Sequence, residues 1–506
     1  MRLLSLLLAA TLPLLALPDT IKTEGGLVKG APGRTPGVMV FKGIPYAAPP
    51  VGDLRWKAPK AAARWEGVRE AKEFSPNCMQ QPYAPGSLYY QPPSPQSEDC
   101  LYLNIWSAAK SARERRPVMV WIHGGALTRG SGSAPTYDGE ALARKGVVLV
   151  TINYRLGVFG FFAHPALTKE SDRNSSGNYG ILDQIAALEW IQKNIAAFGG
   201  DPKRVTIFGE SAGSWSVNLL VATPLSRGLF HRAIGQSGGR FNTSISLADA
   251  EKAGAKIAAA LGVSGGDELA QLRAKSAEDL LKQNSLAGPA VDGWMLPASV
   301  REMFESGRHN DVPVIVGSNA DEGTAFVTPA MIQSPEAYKA TAERRYGADS
   351  AEYLKLYPGS TQEEVATSTL NSMRDQTFMW QMRTWARLAS AKGKSKAYLY
   401  FFTRVPPGPE SKRYGAFHAA EIAYVFGNLQ APRPWEETDR KLSDMMSSYW
   451  VNFATTGDPN GKGLPKWPAY DTAADEHMEF GDTVAVRRNL NRAALDFLDS
   501  FFAKSR

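Results

Sequence analysis

Cysteine is scarce: the 506 residues hold 2, too few for a disulfide-dense small scaffold. Histidine is nearly as rare at 6, so any reaction that needs an imidazole is confined to a handful of positions. A surplus of one charge is missing too. Lys and Arg number 57 against 50 Asp and Glu, leaving +7 and a pI near 9.1. The basic residues are scattered apart from short clusters such as Arg113 to Arg116, so there is no basic stripe or module of the kind that binds nucleic acid, and no nucleic-acid partner is expected. Beyond the first 17 residues no stretch reaches eighteen apolar positions, the length a membrane span would need.

What is present is the composition of a large globular protein. Hydrophobic residues make up 43%, charged 21% and aromatic 10%. The 46 Gly and 33 Pro imply many turns without reaching the low-complexity range. The length allows up to three domains at about 150 residues each, yet no repeat or linker divides the chain, and residues 19–506 read as a single domain. Residues 1–18 carry one Arg and a Leu/Ala-rich run and read as a signal peptide cleaved between Leu17 and Thr20. The mature protein is then expected to be secreted or periplasmic, with no stable membrane insertion. In such a compartment an even cysteine count favours pairing of Cys78 with Cys100 over two free thiols, closing a loop of about twenty residues worth roughly 3 kcal/mol. Asn174 and Asn242 open glycosylation sequons, which matter only if the source glycosylates.

Short runs rich in β-branched and aromatic residues recur at Val118 to Ile122, Val147 to Ile152, Val205 to Phe208, Ala233 to Ile234, Val312 to Val316 and Ala397 to Phe402. Between them lie helical patterns, such as Tyr179 to Ala197 with Ile181, Ile185, Leu188 and Ile191 on one face. That alternation predicts an α/β fold with a large, mostly parallel central sheet. The Pro-rich stretch Gln81 to Gln96, between the two cysteines, reads as a tethered surface loop.

Val205-Thr206-Ile207-Phe208-Gly209-Glu210-Ser211-Ala212-Gly213 is a strand turning through Gly-Xaa-Ser-Xaa-Gly into a small-residue helix start, which exposes a serine Oγ on a sharp turn at a helix N-terminus. A serine nucleophile needs a general base. In the order Ser, acid, His, the candidates are His418 and His477, since too little chain precedes His309 for an acid-bearing strand. His477 lies in the charged run Asp475-Glu476-His477-Met478-Glu479 and is expected to face solvent, whereas His418 sits on a turn-rich segment after a strand. For the acid, Ser318-Asn319-Ala320-Asp321-Glu322-Gly323 follows a strand and offers Asp321 or Glu322, between which the residues alone do not choose. Trp121-Ile122-His123-Gly124-Gly125-Ala126 supplies a Gly-rich loop whose N–H groups, with that of Ala212, could hold an oxyanion.

These motifs resemble the type-B carboxylesterase/lipase family, in character nearest to its bacterial secreted carboxylesterases. The likeness spans nearly the whole mature chain: Phe41-Lys42-Gly43-Ile44-Pro45-Tyr46-Ala47 with Leu54-Arg55-Trp56, Glu98-Asp99-Cys100-Leu101-Tyr102-Leu103-Asn104-Ile105, Asn178-Tyr179-Gly180, Phe198-Gly199-Gly200-Asp201-Pro202 leading to Ser211, and His418-Ala419-Ala420-Glu421. The resemblance implies an α/β-hydrolase fold with a small N-terminal antiparallel sheet. It also implies Glu322 as the acid of a Ser211–Glu322–His418 triad, an oxyanion hole of Gly125, Ala126 and Ala212, a Cys78–Cys100 bridge, and supporting roles for Glu210, Ser237 and Glu421. The expected activity is ester hydrolysis through an acyl-enzyme, on small-molecule esters, with no metal or organic cofactor, by a monomer or homodimer. The rival readings are an inactive binding or adhesion protein on the same fold, and a serine hydrolase that prefers amides or lipids.

Two departures from the family pattern stand out. Ala126 occupies the third glycine of the usual His-Gly-Gly-Gly loop, and residues 79 to 99 hold Tyr83, Tyr89 and Tyr90 but no Trp with which to grip a choline. By loose alignment the acyl-pocket segment Asn284-Ser285-Leu286-Ala287-Gly288 is poor in aromatics, which suggests room for a larger acyl group.

Overall fold

In the computed structural model residues 17–283 and 288–504 are described, so the signal segment and most of the Asn284-to-Gly288 stretch lie outside the described residues. An 11-stranded sheet runs through the molecule. In chain order its strands are β1 Ala31–Pro32, β2 Met39–Pro45, β3 Tyr102–Ser107, β4 Arg116–Ile122, β5 Val148–Ile152, β6 Gly200–Glu210, β7 Arg232–Gln236, β8 Val314–Asn319, β9 Ala397–Phe402, β10 Glu476–Phe480 and β11 Val484–Arg488. Their spatial order is β11-β10-β9-β8-β7-β6-β4-β5-β3-β2-β1. From β10 across to β5 every pairing is parallel, and the antiparallel pairings are confined to the two ends.

The central strands are buried on both faces, which is why their sequences read as nearly unbroken apolar runs. Alternate residues divide them between two cores. Val118, Val120, Ile122 and Ile207 pack on one face beneath helices α1 (Tyr179–Asn194), α2 (Ala212–Ala222) and α3 (Trp380–Lys392). Met119, Trp121, Phe208, Ile315 and Tyr400 pack on the other against Met446, Trp450 and Phe453 of α4 (Glu437–Thr456). Helix α1 is pinned by a buried ion pair, Arg155 to Asp183 at 2.6 Å, which satisfies two charges that would be costly alone.

A second, 3-stranded sheet near the N-terminus pairs Thr20–Lys22 antiparallel with Leu27–Lys29, as expected. Its third strand, Val68–Glu70, runs parallel to the second, so this small sheet is mixed rather than purely antiparallel. His477 also departs from expectation. It lies on β10 and is 3% exposed, because Glu476 and Glu479 turn outward to pair with Arg488 and Arg487 of β11 while His477 and Met478 are buried. Cys78 and Cys100 form a disulfide, and the Pro-rich stretch between them is a largely exposed loop. Among the described residues no helix is long and apolar enough to cross a membrane.

Candidate active site

Ser211 stands between the last residue of β6 and the first of α2, at φ +56° and ψ −122°, a conformation that an L-residue holds only under constraint. The constraint is visible. Its N–H donates to the Gln236 carbonyl at the end of β7 (2.8 Å), and its carbonyl accepts from Trp215 N–H (2.9 Å). The flanking glycines are required by close approach rather than by flexibility. A Cβ on Gly209 would lie 2.6 Å from the Ile122 carbonyl oxygen, and one on Gly213 would lie 2.0 Å from it.

His418 arrives on the loop beyond β9. Its Nδ1 donates to Glu322 Oε2 at 2.5 Å, and its carbonyl accepts from the Tyr89 hydroxyl at 2.9 Å. Phe326 and Phe378 pack on the ring, with centroids 4.8 Å and 4.7 Å away. The other nitrogen, Nε2, is buried and makes no hydrogen bond, although Glu210 Oε1 lies 3.1 Å from it. Of the two carboxylates that the residues alone left open, Glu322 is the one that reaches the imidazole. Its Oε1 is held by the Asn319 N–H at 2.8 Å. Asp321 turns away to accept from the Ala416 N–H (2.7 Å), which ties the histidine loop to the end of β8.

Behind this pair, Glu421 accepts from Asn319 Nδ2 (2.6 Å) and Gln236 Nε2 (3.0 Å). Ser237 is fully buried at φ +54°; its N–H donates to the Gly317 carbonyl at 2.8 Å, and its hydroxyl has no partner. The electrostatics follow from this enclosure. Burial works against an imidazolium at His418, but the Glu210, Glu322 and Glu421 carboxylates outweigh it and raise its pKa above 6.5. Glu210 is pushed well above the ordinary carboxylate range by burial, with Glu421 and Glu322 adding to the rise against the opposing pull of His418. Burial, with Glu322 nearby, raises Glu421 as well.

The Gly-rich loop after β4 passes beside Ser211, where a Cβ on Gly124 would lie 3.2 Å from the serine Cβ. Gly125 (φ +104°) and Ala126 (φ +56°) are both left-handed, and a side chain at Gly125 would strike the Arg129 carbonyl at 2.2 Å. Neither N–H donates to a protein acceptor among the described residues, and Ala212, as first residue of α2, has no acceptor within its helix. His123 fixes the loop from below. Its ring stacks on Tyr154 at 4.4 Å and donates to the Gly124 carbonyl, and burial pushes its pKa down to about 4, so it is neutral at ordinary pH. Gln80, next to the disulfide, clasps the far end of the loop, donating to Gly130 O (2.8 Å) and accepting from Gly130 N (2.7 Å). Gln80, Phe326, Phe378 and the Tyr89 contact carry no sequence signal, since none of them lies in a motif of regular spacing.

A serine on a strand-to-helix turn at the carboxyl edge of a mostly parallel sheet, with a paired histidine and glutamate beside it, is the arrangement of the α/β-hydrolase class of serine enzymes. The chain belongs to the carboxylesterase family, whose family model matches residues 18–498. It is 39% identical to the fumonisin B1 esterase of Sphingopyxis macrogoltabida, over 95% of this chain and 91% of that protein. It is likewise 39% identical to the para-nitrobenzyl esterase of Bacillus subtilis, over 93% and 96% respectively, and 35% identical to rabbit liver carboxylesterase 1, over 96% and 94%. The protein is accordingly a serine carboxylesterase, a hydrolase of carboxylic esters acting on small molecules, and the inactive-binding alternative is not favoured.

Proposed function

We propose that this esterase works by two-step acyl transfer with Ser211 as nucleophile, His418 as general base and Glu322 as the group that orients and stabilises the imidazolium. The observation that carries the assignment is the 2.5 Å bond from His418 to Glu322 beside a serine held at φ +56°. His418 Nε2, free of any hydrogen bond, takes the Ser211 proton as Oγ attacks the ester carbonyl. The N–H groups of Gly125, Ala126 and Ala212 receive the negative oxygen. His418 then returns the proton to the departing alcohol, and a water activated by the same nitrogen releases the acid. Glu210, whose carboxyl burial pushes well above the ordinary carboxylate range, lies 3.1 Å from Nε2. Ser237 and Glu421 support the base from behind.

The single domain of residues 19–506, export to an oxidising compartment after removal of residues 1–18, and a monomeric or homodimeric state complete this reading; the disulfide supports the compartment. Ser211→Ala tests the core of it. The variant should stay folded and hydrolyse short p-nitrophenyl esters at near the buffer rate, and wild-type enzyme mixed with excess p-nitrophenyl acetate should show a burst of one equivalent if the acyl-enzyme accumulates. Appreciable steady turnover by the alanine variant would place the nucleophile elsewhere.

A further inference from the structure

Several arginines of this protein face a carboxylate: Arg55 meets Glu98, Arg155 meets Asp183, Arg273 meets Glu170 and Arg404 meets Asp439. Arg129, on the Gly-rich loop, does not. Its N–H donates to the Gly125 carbonyl (3.1 Å), but among the described residues its guanidinium pairs with no acid and gives no hydrogen bond. The group it meets is the ring of Tyr83, whose centroid lies 4.9 Å from the guanidinium carbon. Both residues are half-buried rather than sealed in the core.

Contacts on two sides fix where this cation stands. On one side is the nucleophile. A Cβ on Gly124 would lie 3.2 Å from the Ser211 Cβ, and one on the next residue, Gly125, would lie 3.2 Å from Arg129 Cγ. On the other side is the base. The Tyr83 and Tyr89 rings lie 5.9 Å apart, and the Tyr89 hydroxyl donates to the His418 carbonyl at 2.9 Å. Burial raises the pKa of the Tyr83 hydroxyl; Arg129 opposes the rise, and Glu210, whose Oε1 is 3.1 Å from His418 Nε2, adds to it. Gln80 holds the two loops together through its paired bonds to Gly130, the residue after Arg129. Arg129, Tyr83 and Tyr89 thus form a continuous wall from the oxyanion loop to the base loop. The leaving alcohol receives its proton from His418 Nε2, so it departs along that wall, and the wall ends in a cation.

We propose that Arg129 binds a carboxylate carried on the alcohol part of the ester, so that the enzyme favours esters of hydroxycarboxylic acids over esters of plain alcohols of equal length. The proposal rests on the Ser211 and His418 assignment above. A guanidinium fork takes a carboxylate in two parallel hydrogen bonds, which the Tyr83 ring does not supply. Burial lifts the Glu210 carboxyl beside Nε2 well above the ordinary range, which weakens its repulsion of an arriving anion.

The test measures kcat/KM by pH-stat on acetates that share one acyl group: 3-acetoxypropanoate, 4-acetoxybutanoate and 6-acetoxyhexanoate, against propyl, butyl and hexyl acetate. Wild type, Arg129→Met and Arg129→Lys are compared, with thermal unfolding as the check on folding. Wild type should favour the acid at one or more of these lengths. The methionine variant should lose that preference by about tenfold or more, and the lysine variant should keep part of it. In wild type alone, 4-hydroxybutanoate should inhibit butyl acetate hydrolysis more strongly than butanol does, a readout that needs no variant. An acid-to-alkyl ratio that Arg129→Met leaves unchanged at every length would make the residue a brace for the loop and overturn the proposal. A wild type that favours the plain acetates throughout would overturn it too. Retention of acetate hydrolysis by Ser211→Ala would instead strike the assignment beneath it, so the two failures are distinguishable.

Discussion

At the scale of single residues the chemistry turns on one imidazole and the charge around it. With His418 as the proposed base, only its neutral form can take the Ser211 proton. Its pKa lies above 6.5, so activity should fall as pH drops through a midpoint above 6.5 rather than below it. Glu322→Gln removes one of the carboxylates that raise it. The acid limb of kcat/KM should then move to lower pH while kcat falls roughly 100-fold or more, because the imidazolium formed in the transition state loses its partner. A pH profile that stays in place would mean that Glu322 does not govern this base. Ala126 carries a second prediction. It is exposed and left-handed, its N–H donates to no protein acceptor among the described residues, and on the mechanism proposed above its methyl would border the space where the tetrahedral centre forms. Ala126→Gly should hold kcat on a primary alkyl acetate within several-fold and improve kcat/KM most on a tertiary one, by an amount on the order of 1–3 kcal/mol for one relieved methyl contact. Equal gains on both acetates would place the methyl outside the substrate wall.

Among the elements, the loop between the cysteines matters beyond its own stability. It bonds the oxyanion loop through Gln80 and the base loop through Tyr89. Reduction of Cys78–Cys100 should therefore lower turnover as well as unfolding temperature, the stability loss being about 3 kcal/mol from loop entropy. Measurement of kcat at a temperature where the reduced protein is still folded separates the two effects; full activity there would show that the loop is a passive cover. The same loop marks where the sequence stops being legible. Strands buried on both faces announce themselves as apolar runs, so Val118 to Ile122 and Ala397 to Phe402 could be read directly and lie within β4 and β9. The nucleophile turn was legible because close approach admits only glycine at Gly209 and Gly213. Strand β10 was not, since its outward glutamates are answered by arginines on β11 and the segment looks like a solvated charge run until its partner is known. Tyr89, Gln80 and Phe378 were hidden for a different reason. Their roles come from contacts across the fold that leave no local periodicity, and the choice of Glu322 over Asp321 rests on which side chain turns inward.

For the molecule as a whole, two histidines buried in neutral form set a limit on acid tolerance. Burial pushes His123 and His477 down to about 4, against 6.5 in the unfolded chain. Their contribution to stability is thus present above pH 6.5 and lost as pH falls toward 4, by about 3 kcal/mol each. His418, shifted upward, contributes fully below 6.5 and does not compensate within that window. Urea unfolding at pH 7, 5 and 4 should show this loss, and His477→Gln should reduce its slope without touching the site; an unchanged slope would assign the acid sensitivity to other groups.

The placement of Ser211, Glu322 and His418 beyond the ends of β6, β8 and β9 has a practical side. The opposite rim, where those strands begin, carries the exposed side chains of Lys203, Lys394 and Lys396. Because Cys78 and Cys100 are bonded to each other, Lys203→Cys would put a free thiol on that rim, through which a thiol-reactive support can hold the enzyme with the mouth open to the flowing solution.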